Sequence, residues 1–143
     1  RNLIRLPVIG PALYGLNTRP AFLKWMYQRH VFVDGTQLTP EFMAQRYRLT
    51  QQAGARFAPA AFVTAALDPM TDREEWLEVS AAVAQNMATH VIVADQAPPQ
   101  SLAEMQVLSE LPDVSSDRLP GSLGLYEEYG DRVGAIALDV FSA

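Results

Sequence analysis

The chain has 143 residues, a net charge of −5, 49% hydrophobic and 19% charged residues, and no cysteine. That is one domain's worth of ordinary globular composition. It excludes a disordered tail, and the lack of thiols excludes a disulfide framework, a cysteine–zinc site and a cysteine nucleophile.

No apolar run approaches the roughly 18 residues that a membrane-spanning helix needs, and no leader with a cleavage site opens the sequence, so the cytoplasm is the expected compartment. The charge is unevenly placed. Through Phe57 the chain carries eight Lys/Arg against two acids, and beyond it three Arg against fourteen acids. A basic layer over an acidic body can attract that body or face an anionic surface, although solvated faces that merely differ in sign would read the same way. Nucleic-acid binding is disfavoured, because the isoelectric point is 4.9 and the basic residues are diluted by apolar ones.

In chain order, residues 1–18 mix apolar side chains with Pro7, Gly10, Pro11 and Gly15, which predicts a packed irregular segment. Pro20 starts a helix in which Phe22, Leu23, Met26 and Tyr27 recur at helical spacing. A second helix opens at "TPEF", with Thr39 as N-cap and Pro40 in the first turn, and Gly54 closes it. Residues 1–56 thus read as a small helical cap, and 57–143 as an α/β core.

"APAAFVTAALDP" is a continuous small-apolar and β-branched run ending at Asp68-Pro69, the pattern of a strand buried on both faces. The box Thr71/Glu74 starts a helix with Trp76, Val79, Val83 and Met87 on its inward face. "THVIVAD" repeats the strand pattern. The box Ser101/Glu104 opens a helix with Leu102, Met105, Leu108 and Leu111 inward, a third strand follows at about Arg118 to Leu125, and a last helix carries Val133, Ile136, Val140 and Phe141. Strand–helix alternation of this kind predicts an α/β fold with a three-stranded parallel sheet flanked by helices.

In open parallel sheets, ligands bind beyond the carboxyl ends of the strands. Those ends carry Asp68, Asp95, and then Tyr126, Glu127 and Glu128. Each has a plainer alternative: the aspartates can build turns before proline, and the glutamates can hydrate a loop. Asp68, Asp95 and Glu127 could together hold a hard cation, but their spacing has no metal-site signature, so no metal and no cofactor is assigned. His30 and His90 lie away from the expected site. Trp25, Met26 and Tyr27 fit the core of the cap, and an apolar substrate would meet the same side chains. No phosphate-binding glycine loop, HExxH or G-x-S-x-G elbow occurs, and "GSLG" at Gly121 has the wrong spacing for the last.

The succession "LPVIGPALYGLNT", "FVTAALDPMTDRE", "VIVADQAPPQSLAEM" and "LPGSLGLYEE" resembles the C-terminal half of α/β-hydrolase-fold proteins, with a cap followed by the last three strands. The resemblance implies that the oxyanion loop and nucleophile elbow belong to a preceding half. It places the family histidine on Tyr126, and its acid on Asp95 or, after the preceding strand, on Asp68. A phenol with an ordinary pKa near 10 is no substitute for an imidazole base near neutrality.

Three functions are compatible with these residues. The parent protein could hydrolyse an ester-like or other small apolar substrate while this chain alone is inactive. The fold could instead serve as a non-catalytic binding or scaffold module. In the third reading, the amphipathic cap with Trp25 and Tyr27 docks on a membrane surface or anionic partner. A half-sheet also leaves the strand around residues 61–65 with an unpaired edge, so the expected partner is the missing N-terminal half or a second copy of the chain.

Overall fold

The structure is a computed structural model and describes residues 6–64 and 66–142. It is mixed α/β, with a parallel sheet, and divides into two compact units. The first comprises residues 1–27 and 36–71, and the second residues 28–35 and 72–143.

The first unit is helical. Helix α1 spans Ile9–Asn17, where an irregular segment was expected. Pro11 is its third residue, within the first turn, where backbone N–H groups have no intrahelical acceptor and a proline removes nothing. Gly15 faces open space, so it costs the helix only its propensity. Helix α2, Pro20–His30, buries Leu23. Helix α3, Pro40–Thr50, begins as its sequence dictates, with the Thr39 hydroxyl accepting the Phe42 N–H at 3.2 Å and Pro40 in the first turn. Tyr27 meets Phe42 edge-to-face at 5.8 Å, a contact that joins α2 to α3. Gly54 takes a positive φ of 81° in the turns beyond α3.

Helix α4, Phe57–Val63, replaces the first expected strand, and the sheet has two strands among the described residues. Ala65 lies outside the described residues. The physical reason for the change is visible in "FAPAAFV". Alanine is the best helix former, Pro59 again occupies the third helical position, and a helix satisfies its own backbone without a neighbouring strand. Asp68 follows in an exposed, irregular stretch rather than at a strand end.

The second unit carries the sheet. Helix α5, Arg73–Asn86, is capped by Asp72, one residue later than the Thr71/Glu74 box implies: the Asp72 carboxylate accepts the N–H groups of Glu74 at 2.8 Å and Glu75 at 3.0 Å. Its inward face also differs. Ala84 is buried and Leu77 half-buried, whereas Val79, Val83 and Met87 are exposed.

Strand β1, Thr89–Ala94, runs parallel to β2, Val114–Leu119, in a register from Thr89↔Val114 to Ala94↔Leu119. Helix α6, Pro99–Ser109, makes the crossover that parallel pairing requires. Ser101 lies inside α6 and does not cap it. Strand β2 ends at Leu119, so the segment to Leu125, expected as strand, is instead a turn. Helices α7, Leu125–Glu128, and α8, Gly130–Ser142, finish the unit. Ala94, Ala97, Leu119 and Leu125 form its core, with Leu102 and Met105 of α6 and Val133 and Ile136 of α8 packed against it.

Candidate functional site

The carboxyl ends of β1 and β2 are tied together. The Asp95 N–H donates to the Leu119 carbonyl at 3.0 Å, and the Gln96 N–H donates to the Gly121 carbonyl at 2.9 Å. The Asp95 carboxylate leaves β1 beside Arg118 of β2, whose Nε and Nη2 both donate to Oδ1, at 2.8 and 2.5 Å. Both side chains are about half exposed. The parallel register explains the pairing, because Arg118 stands opposite Val93, two residues before Asp95. A carboxylate held by a guanidinium in this way is already neutralised, which sets it apart from an aspartate that orients an imidazole.

Past β2, the segment "GSLGLYEE" packs its backbone against residues 30–34. A Cβ on Gly124 would lie 2.7 Å from Val31 Cγ1 and 2.8 Å from the Val31 carbonyl oxygen, and the Gly124 N–H donates to that oxygen at 2.8 Å. Only glycine admits so close an approach. The Ser122 hydroxyl donates to the His30 carbonyl at 2.9 Å.

The two glutamates diverge. Glu128 is buried, and its carboxylate accepts the Val33 N–H at 2.9 and 3.1 Å and also the Asp34 N–H. It anchors backbone and does not hydrate the loop. Tyr126, on the position where the resemblance puts a histidine, projects outward with 67% of its surface exposed.

At the opposite ends of the strands, His90 bridges the sheet. Its Nδ1 is 2.7 Å from Ser115 Oγ, and its Nε2 is 3.2 Å from Asp117 Oδ2. The ring is largely buried and reinforces the register of β1 on β2. Among the described residues, no three of His, Asp or Glu gather in a metal-holding group.

Of the expected site residues, Asp95 and Tyr126 belong to the second unit and Asp68 to the first. In the first unit, Trp25 is half exposed and stacks at a tilt on Phe22, 5.4 Å between centroids. Tyr27 packs on Phe42, and Met26 lines a cavity of about 590 Å³. A second cavity, of about 300 Å³, shares Tyr14, Thr18, Thr50 and Arg56 with it. Burial pushes the Tyr14 phenol above its ordinary value of 10.0, so the group stays a neutral donor.

Met26, expected in the core of the cap, lines the larger cavity; Arg56, Tyr14 and the anchoring role of Glu128 are not among the expected site features. The signal available for Arg56 was its place between a glycine turn and an apolar run.

Comparison with protein-family models, curated proteins and solved structures finds no match to this chain.

Proposed function

We propose that the chain is the trailing portion of an α/β-hydrolase-like protein acting on an ester-like or other small apolar substrate, and that this portion alone turns over no ester. One observation carries the reading: the two strands have unlike edges. Strand β2 is polar and exposed through Ser115, Ser116, Asp117 and Arg118, which suits the outermost strand of a sheet. Strand β1 is apolar, with Val93 and Ala94 fully buried, and pairs only with β2 among the described residues. A strand of that composition belongs inside a larger parallel sheet. Val79 and Val83 on α5, Met87 just beyond it, and Leu138 and Phe141 on α8 are exposed apolar side chains that further structure would cover.

In this reading the third strand comes from the preceding half, together with the nucleophile and the oxyanion donors. The loops after β1 and β2, with Asp95 and Tyr126, form one wall of the site. The test compares this chain with the translated product of its longer reading frame on a panel of short and long nitrophenyl esters. The chain alone gives no hydrolysis above buffer, and the longer product carries a serine or aspartate elbow and turns over. Hydrolysis by the chain alone, or a longer product without an elbow, overturns the proposal.

A second reading, a non-catalytic module of the same fold, is favoured by the Asp95–Arg118 ion pair and the outward Tyr126. The longer product itself separates the two: turnover of the esters marks the hydrolase, whereas binding of the same esters without turnover marks a binding module.

A further inference from the structure

The first unit contains an amphipathic pair of cavities, and we propose that they bind a single-chain amphipathic carboxylate: an apolar tail in the larger chamber and its carboxylate on Arg56. The proposal concerns the helical unit alone and stands whether or not the chain belongs to a larger sheet.

The larger chamber, about 590 Å³, is walled by apolar side chains that include Phe22, Leu23, Met26 and Pro59. That volume is within the range of small-molecule sites, about 300–1,000 Å³. The smaller chamber, about 300 Å³, is walled by the polar turn of residues 50–56. Tyr14, Thr18, Thr50 and Arg56 border both, so polar groups are gathered at the junction between an apolar space and a polar one.

Arg56 is the charged residue of that junction, and no acidic side chain lines either chamber among the described residues. Its Nε is buried and has no hydrogen-bond partner. Its guanidinium lies 4.6 Å over the Phe57 ring, a contact that holds the plane in place and leaves the Nε–H without an acceptor.

A buried donor without an acceptor is costly, and more so on a charged group, so a fixed cation left in this state is a ready anion receptor. A carboxylate matches it because two parallel N–H···O bonds fit the guanidinium fork. The neutral Tyr14 phenol can donate a further bond to the same anion. The Thr18 and Thr50 hydroxyls donate to the carbonyls of Tyr14 and Tyr47, at 2.9 and 2.7 Å, so they are already committed as donors. Arg56 and Tyr14 therefore supply the head-group contacts. The basic balance of the chain through Phe57 would raise the local concentration of such an anion.

The test is calorimetric titration of the full chain with dodecanoate, dodecanol and acetate below the micellar range. Dodecanoate is expected to bind saturably at one site, dodecanol at least tenfold more weakly, and acetate not measurably. Arg56→Gln should reduce dodecanoate to the affinity of dodecanol, and Arg56→Lys should recover part of the loss. Ala60→Trp, which fills the apolar chamber, should abolish binding of both chains, with circular dichroism confirming that each variant remains folded. Equal affinity for the acid and the alcohol, or an Arg56→Gln variant that binds dodecanoate unchanged, would overturn the proposal, as would the absence of saturable binding to the unmodified chain. Should Ala60→Trp unfold, the headgroup comparison on the unmodified chain still decides.

Discussion

Glu128 shows how one side chain can define a local structure. Its carboxylate receives backbone N–H groups from Val33 and Asp34, 95 and 94 residues away in sequence. Truncation to alanine strands those donors. Glu128→Ala should cost about 1.5–3 kcal/mol, the range for hydrogen bonds to a charged group, and Glu128→Gln less because one acceptor oxygen survives. Urea midpoints measure the loss, and faster amide exchange confined to Val33 and Asp34 locates it; an unchanged midpoint would show that the anchor is dispensable. Tyr14 supplies a pH-dependent counterpart. Burial raises its folded-state value above the unfolded one, so its contribution to stability is complete below about pH 10 and is lost as pH rises through the folded value. Thermal midpoints of the chain and of Tyr14→Phe should therefore run in parallel up to about pH 10, and the phenylalanine variant should gain on the chain above it.

Among the elements, those specified locally are the ones legible in sequence. Thr39 and Pro40 start α3 because their chemistry acts within one turn, and "THVIVAD" reads as a strand because Thr89, Val91, Ile92 and Val93 are β-branched. The helix caps offer a sharp comparison. Asp72 accepts two N–H groups at the start of α5, whereas Thr71 precedes the cap. Asp72→Ala should cost about 1 kcal/mol, typical of a lost N-cap, and Thr71→Ala should leave the melting temperature in place. Equal losses would move the cap back to threonine. "FAPAAFV" carries a strand pattern and forms a helix because a short apolar run fits either period, and only the neighbouring backbone decides which form satisfies its hydrogen bonds. Strand β2 begins earlier than its sequence pattern suggests, because "VSSDR" is a polar edge without an apolar signature. The site follows the same rule. Asp95 could be found at its strand end, but its pairing with Arg118 needed the register of two strands and the crossover between them.

For the whole molecule, the unlike edges of the sheet lead to a prediction about association. A strand with one strand partner leaves the ladder positions along its other side unfilled, a template for pairing with another strand. A second copy could satisfy that edge, and in the proposed larger sheet the preceding half does so. These cases differ in concentration dependence. If β1 is completed between molecules, the weight-average mass in sedimentation equilibrium rises with loading concentration, and the amides of β1 exchange more slowly in concentrated than in dilute samples. The amides along the polar outer side of β2 should be indifferent to concentration. Association is the expected outcome, because burying the apolar surface left exposed on α5 and α8 adds to the backbone pairing and favours the associated form. A monomer at every concentration, with β1 amides slow throughout, would mean that the chain closes its own sheet edge and that its composition requires no larger sheet.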